Sequence, residues 1–498
     1  MSGADFGSLP GASQAARARG DDEPAPGLLA RVASATTAWS ERWIPDAFVF
    51  ALAATVLVVV AAVASGAKPA EVVKAWGGGF WELLNFTLQM CLIIITGYVV
   101  ATTRPVYGLI ARLASLPRSP RAAVAMVAFF AMATSWLNWG FSLIFAAMLA
   151  KEVARRVAGV DYRAVAASSF LGLGSIWAQG LSGSAALQMA TPSALQEGTR
   201  AIVAARDAGT GKALVEGGII PLSSTIFLWQ SLVSVAIEVA VVTAVVYLYT
   251  PAASRAKTAA DLGIDLGPSP LAAPLPARKP GTPGDWLEHS PLLNVLVALL
   301  AGAYLVGYFH DAPSVVQAVN LNLINLTLLA LGFALHVTPA RLMRAVREAT
   351  PSVWGVILQF PFYAGIAAVI TKTHLNASLA AFFVGISTPR TFPAIIAVYS
   401  AVLGVFVPSG GSKWVIEAPY VMQSAHALHV HLGWMVAVYD LGEALANLVQ
   451  PFWMLPILGL FGLRARDVMG YTFVVFVVLV PVVLVLVTVL GATLPYPL

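Results

Sequence analysis

The chain has 498 residues, of which 58% are hydrophobic and 11% charged, with a mean hydropathy of +0.80. Soluble globular proteins carry about 25% charged residues, so the composition excludes a soluble enzyme and indicates a polytopic membrane protein. The net charge of +5 reflects basic loops that report orientation in a membrane, not nucleic-acid binding. The one cysteine, Cys91, lies in an apolar run and permits no internal disulfide framework.

Residues 1–43 are polar, rich in Ala, Gly and Pro, and acidic at Asp21, Asp22 and Glu23. They contain no apolar core segment and hence no signal peptide; a disordered cytoplasmic tail is expected. Residues 44–250 form a first repeat. Spans at 47–65 and 83–101 lead to Arg104, Arg112, Arg118 and Arg121, which mark the cytoplasmic side. The apolar run 122–150 ends at Lys151, Arg155, Arg156 and Arg163. A single crossing would place one basic cluster outside, so a re-entrant hairpin is expected, its tip at Trp136, Asn138, Trp139 and Gly140. Residues 164–184 cross outward through GLGSIWAQGLSGS, whose glycines and polar residues weaken a continuous helix. A polar external loop at 196–216 precedes a return at 219–249.

Residues 251–289 are rich in Pro, Ala and Gly and read as a cytoplasmic linker. A lone connecting helix at 290–309 crosses outward, and the second repeat occupies 310–498. There, 315–335 returns to Arg341, Arg344 and Arg347, and 353–371 goes out. A second re-entrant hairpin is expected over 392–425, because VPSGGSKWVIEA at 407–418 interrupts a long apolar region with a proline and paired glycines. Residues 432–463 return to Arg464 and Arg466, and 469–494 exit. The expected layout is nine crossings and two hairpins, N-terminus cytoplasmic.

The halves repeat. Leu88, Gln89 and Met90 match Leu358, Gln359 and Phe360 at a shift of 270 residues, which also carries Asn138 and Gly140 onto Pro408 and Gly410. Downstream the match shortens to 259 residues, pairing Gly183 with Gly442 and Pro192 with Pro451. With the lone connecting crossing between them, the halves form an inverted-topology repeat, in which solutes bind at discontinuous helices near the midplane.

WIPDAFVFAL (43–52), WGGGFWELLNFTLQM (76–90), NWGFSLIFAAMLAKEVARR (138–156), VPSGGSKWVIEAPYVM (407–422) and ALANLVQPFWMLPILG (444–459) resemble the bacterial short-chain fatty acid transporter family. More distantly the chain resembles the ion transporter superfamily, which includes sodium–dicarboxylate symporters. The resemblance implies an all-α secondary transporter that takes up acetoacetate or butyrate across the inner membrane, works as an elevator, and forms a homodimer.

A small carboxylate with an apolar tail needs backbone N–H donors, a few hydroxyls or amides, and an apolar wall. The substrate-binding candidates are Asn138, Gly140, Ser182, Gly183, Ser184, Gln188, Ser409, Gly410, Gly411, Ser412, Lys413 and Asn447, with Gln450 nearby. Trp136, Trp139 and Trp414 are candidates for the wall. Lys413 pairs either with the solute or with Glu417 one turn on. Glu443, Asp440, Asn447 and Ser184 are candidates for a coupling cation, H⁺ or Na⁺, with no cofactor and no structural metal. Glu238 reads as a scaffold or dimer-interface residue, a proton role being the alternative. His426, His429 and His431 read as a solvated interfacial loop; a membrane-embedded enzyme built on them with Glu443 is the competing reading, beside a dicarboxylate carrier or an exporter of amphipathic compounds.

Overall fold

The computed structural model describes residues 47–206, 211, 213–266, 281–312, 318–406, 410–450 and 452–498. The expected tail, Val407, Pro408 and Ser409 of the second tip, and residues 267–280 of the linker lie outside them. Among the described residues the protein is all-helical, and seven helical segments are long and apolar enough to cross a membrane.

The first half runs α1 (Ala47–Ala64), α2 (Pro69–Gly79), α3 (Leu84–Ala101), α4 (Arg104–Leu113), α5 (Pro120–Leu137), α6 (Trp139–Arg156) and α7 (Tyr162–Leu171). Prolines open α2, α4 and α5, where a missing N–H costs nothing and the fixed φ suits the first turn. A single extended residue, Asn138, separates α5 from α6, and its Oδ1 caps α6 by accepting from Phe141 N at 2.7 Å. The two helices pack against each other. After α7 the backbone loosens into a π-turn (Gly172–Ile176) and a 3₁₀ turn (Trp177–Gln179), then resumes as α8 (Ser184–Ala190), α9 (Glu197–Val203) and α10 (Trp229–Tyr249). The expected interruption at 172–184 is therefore present.

α11 (Pro283–His289) and α12 (Leu292–Asp311) lead to the second half: α13 (Leu321–His336), α14 (Pro339–Ala349), α15 (Trp354–Lys372), α16 (Leu375–Ile386), α17 (Phe392–Phe406), α18 (Gly410–Ala427) and α19 (Leu432–Asn447). A 3₁₀ turn (Phe452–Met454), α20 (Leu455–Phe461) and α21 (Ala465–Gly491) follow. The return at 432–463 is thus two helices around a break. Gly410 and Gly411, expected within the second break, instead form the first turn of α18.

Two regions expected as basic loops are helices. In α4, Tyr107 and Ile110 are buried, and in α14 Leu342, Ala345 and Ala349 are, while Arg104, Arg112, Arg344 and Arg347 face outward. Their arginines obscure an apolar spacing that is helical. The described start of the linker is also packed: Lys257 N donates to Asp161 Oδ2 at 3.0 Å, and Lys257 O accepts from Tyr162 N at 2.9 Å.

A shift of 270 residues carries α2 onto α14 at both ends, and the start of α7 onto the start of α19. It also carries Gly172 onto Gly442. A Cβ on Gly172 would lie 2.2 Å from Ala131 O in α5, and one on Gly442 would lie 2.4 Å from Ala397 O in α17. Both are close backbone crossings that a side chain would block. The 259-residue match does not follow the helices, since Gly183 stands just after the first break whereas Gly442 lies inside α19.

The segment Tyr162–Ala190 is the buried axis, enclosed along nearly its whole length, whereas α12 is exposed or half-buried, with Asn294 its buried residue. Around the axis pack α5, α6, α10, α19 and α21, with α15, α17 and α18 beside them. α1 and α2 lie on α15, α13 lies on α3, and α12 lies on α13. Gly442→Ala should cost about 1–3 kcal/mol of stability through overpacking. Gly307→Ala in α12, where a Cβ meets nothing within 4 Å, should cost none. Thermal unfolding in detergent compares them, and equal effects would remove the close-crossing account.

Candidate functional site

The broken segments meet at the first turn of α18. On the first-half side, Trp139 N donates to Ser182 Oγ at 2.9 Å and Leu181 N to Trp136 O at 2.7 Å, so the first break clamps the α5–α6 turn. Gly180 permits the contact, since its Cβ would lie 2.2 Å from Trp136 O. Gly97 of α3 does the same beneath Asn138, with a Cβ 2.5 Å from Asn138 Oδ1. Asn138, Gly140, Ser182 and Gly183 are thus brought together, but in building this turn rather than in lining the nearby cavity.

That cavity, about 30 Å³, has room for about one water. Trp139, Trp177, Trp453 and Phe360 wall it, Met90, Ile94, Leu173 and Val356 complete its apolar side, and Ser184, Gly410 and Gly411 form its polar side. The first N–H groups of a helix have no intrahelical acceptor and carry the positive end of its dipole, so α18 presents donors here. Gly410 and Gly411 keep the approach open: a Cβ on Gly410 would lie 2.4 Å from the Trp177 ring, and one on Gly411 3.1 Å from Ser184 Cβ. The indole N–H groups of Trp139 and Trp177 are buried without acceptors. Anion donors at one end of an apolar, aromatic cavity match the chemistry of a small carboxylate with a short tail, which enters only when these walls part, since the cavity as it stands holds about one water. A larger groove, about 900 Å³, opens between α5 and α10; its lining is mainly Ala, Val, Leu248 and Phe129, and its donors, Trp136 Nε1, Thr243 Oγ1 and the Tyr247 hydroxyl, are neutral and include no helix N-terminus.

One turn further along α18 lies a buried ion cluster. Lys413 Nζ is 2.6 Å from Glu443 Oε2 on α19 and 3.4 Å from Glu417 Oε1 on its own helix; all three side chains are at most 1% exposed. The contact with Glu443 is an ion pair without hydrogen-bond alignment. The aligned bond from Nζ goes to Ser400 O on α17, at 2.6 Å. Ser400 Oγ donates to Glu417 Oε2 at 2.7 Å, and the Tyr439 ring lies 4.6 Å from the ammonium. Tyr439 OH donates to Gly410 O, joining the cluster to the cavity turn. Glu443 Oε1 and Asp440 Oδ2, one turn apart on α19, are buried without partners. Gly404 of α17 gives Glu443 its space, since a Cβ there would lie 2.8 Å from Oε2. Asn447 Nδ2 donates to Leu173 O in the π-turn at 3.1 Å, and Gln450 Nε2 donates to Asn447 Oδ1 at 2.8 Å.

Of the sequence candidates, Ser184, Gly410, Gly411 and Trp139 line the cavity, Lys413 and Glu443 form the ion pair with Asp440 beside them, and Asn447 ties the two breaks together. Gln188 is buried on α8. Ser409 and the side chain of Ser412 lie outside the described residues. Trp136 and Trp414 do not wall the cavity: Trp136 packs on Phe227, and Trp414 on Tyr439 at 4.6 Å. Trp177 and Trp453 take that place; both stand inside the breaks, a signal the sequence carried. The histidines are a solvated loop only in part, His429 being exposed and His426 half-buried. His431 is buried, and its Nδ1 accepts from Trp434 N at 2.9 Å to cap α19, while His426 and His429 pack on Tyr496. Glu238 faces inward to the first break, accepting from Gln179 Nε2 at 3.0 Å.

Comparison with known proteins agrees with this architecture. The family model described as short chain fatty acid transporter matches residues 28–490. A relative from Escherichia coli (strain K12), named provisionally as a short-chain fatty acid transporter, is 35% identical over 89% of this chain and 96% of its own. One from Haemophilus influenzae (strain ATCC 51907 / DSM 11121 / KW20 / Rd), named the same way, is 32% identical over 91% and 98%. Among solved structures, the YdaH transporter of Alcanivorax borkumensis superposes with a TM-score of 0.54 at 15% identity, covering 91% of this chain and 99% of that one. MtrF of Neisseria gonorrhoeae, described within a class of antimetabolite efflux pumps, gives 0.51 at 14% identity, covering 91% and 97%. These are transporters or efflux pumps, not enzymes.

Removing one partner of a buried ion pair strands the other charge. Lys413→Met should therefore cost about 3–5 kcal/mol of stability, and adding Glu443→Gln should recover part of that loss. Thermal unfolding of the two single variants and the double variant measures the coupling; strictly additive losses would show that the pair is not a unit.

Proposed function

The chain belongs to the short-chain fatty acid transporter family, and we propose that it takes up short-chain carboxylates such as acetoacetate or butyrate across the cytoplasmic membrane with a coupling cation, H⁺ or Na⁺. One observation carries this reading: the first turn of α18 faces the cavity through Gly410 and Gly411 and also meets the Lys413–Glu443 cluster through the Tyr439–Gly410 bond. The carboxylate sits against the α18 N–H groups, Ser184 Oγ and the indole N–H groups of Trp139 and Trp177. Its tail lies against Ile94, Leu173 and Phe360 once the walls of the one-water cavity part to admit it.

The cluster supplies the coupling. It holds one ammonium and three carboxyls, Glu417, Glu443 and Asp440, all buried. Unbalanced buried carboxylates are costly, so the site takes up a cation, H⁺ or Na⁺, at the unpartnered oxygens of Glu443 and Asp440. Solute and cation then cross as a neutral load, which lowers the cost of moving charge through an apolar interior.

The protein works as an elevator built from two inverted repeats, 44–250 and 310–498, joined across the linker 251–289 by the lone crossing 290–309. The re-entrant hairpins 122–150 and 392–425 carry the moving site. The near-equal helix orders of the halves support this, as does the exposed, apolar α12, which suits a lipid-facing scaffold. The scaffold dimerises, and residues 1–43 lie in the cytoplasm.

Purified protein in liposomes should exchange labelled butyrate or acetoacetate in counterflow, and an inward gradient of either Na⁺ or H⁺ should drive accumulation. Failure under both gradients would discard coupled uptake. Because Trp177 limits the cavity, Trp177→Ala should raise the octanoate-to-butyrate uptake ratio roughly tenfold; an unchanged ratio would move the solute elsewhere.

A further inference from the structure

Glu238 stands apart from the Lys413 cluster, on α10, and is 1% exposed. Its carboxyl meets the amide of Gln179, whose Nε2 donates to Oε1 at 3.0 Å. Gln179 lies in the 3₁₀ turn of the first break, two residues after the cavity-lining Trp177 and one before Gly180, where the clamp on the α5–α6 turn begins. Two more polar groups stand beside this contact without partners. Gln179 Oε1 is buried with no donor, and Ser234 Oγ, one turn before Glu238 on α10, is buried with none either.

Among the described residues no cation is paired with Glu238. α10 packs against α5, α21 and the π-turn. The charged residue of α5, Arg121, lies at that helix's start, and the π-turn Gly172–Ile176 has no titratable group. On α21 the titratable residues Arg466, Asp467 and Tyr471 are at the N-terminal end, where Tyr471 packs on Tyr249, three turns beyond Glu238. A carboxylate here would be a lone charge in an apolar interior. A carboxylic acid would not: it accepts the amide N–H at one oxygen and offers its own O–H to the amide oxygen. The donor that Gln179 Oε1 lacks is the one a proton on Glu238 supplies.

We propose that Glu238 is a proton-binding site separate from the Lys413–Glu443 cluster, and that its protonated form locks the first broken helix to α10 as an acid–amide pair with Gln179. Glu238 is a positioning residue: its proton fixes the turn that carries Trp177 and the clamp on Trp136 and Trp139. Loss of the proton leaves two oxygen acceptors facing each other and frees the turn.

Infrared spectra of the full chain in lipid, compared in H₂O and D₂O at neutral pH, test this without any transport assay. The wild type should show a protonated-carboxyl C=O band that Glu238→Gln removes. Gln179→Leu, which deletes the amide partner, should keep that band but move it to higher frequency. A spectrum unchanged by Glu238→Gln shows an ionised Glu238 and overturns the proposal. A band unmoved by Gln179→Leu overturns the acid–amide pair, and this arm stands on its own if Glu238→Gln does not fold.

Discussion

The buried contact between Lys413 and Glu443 is the interaction on which the centre of the protein depends. Withdrawing an ammonium and a carboxylate from water costs several kcal/mol per ion, and attraction alone does not reliably repay it. Here the ammonium also reaches Ser400 O and the face of Tyr439, so three helices, α17, α18 and α19, converge on one charge. Glycines make the convergence possible. Gly404 leaves space for the Glu443 carboxyl, and Gly442 lets α19 lie against the backbone of α17.

The small cavity inherits its shape from that arrangement. α18 begins where α19 and the first break hold it, so its first turn lies against Trp177 and Ser184. Tyr439 contacts Lys413 with its ring and Gly410 with its hydroxyl. A change in charge at the cluster therefore bears directly on the turn that would hold an anion. The cavity and the cluster share a single helical turn, with no long pathway between them.

The two halves contribute unequally. They share helix order and the glycine crossings at Gly172 and Gly442, yet the first half supplies a clamp of hydroxyl and backbone bonds around Asn138, while the second supplies charge. The matching position to the Lys413 turn in the first half is apolar: Leu143 stands where the shift of 270 residues places Lys413. The carboxyl on the first-half side comes from Glu238 in α10, against the first break.

Much of this was legible in the residues alone. Membrane character followed from composition, and the helix breaks followed from glycine, proline and polar residues in apolar runs, because a broken helix needs them locally. The candidates Ser184, Gly410 and Gly411 were picked for the same reason, and Lys413 and Glu443 because a charge within the membrane is costly. The helices α4 and α14 were missed because arginines hid a short apolar spacing, and the shortened downstream match misled because a few similar residues do not fix helix ends. Pairing was beyond reach: that Lys413 meets Glu443, that Trp414 turns from the cavity while Trp177 enters it, and that Glu238 faces inward. Local sequence determines where a helix stops, whereas the direction a side chain faces depends on which neighbour packs there. Only the tertiary structure decided that, through distances as short as the space a missing Cβ leaves.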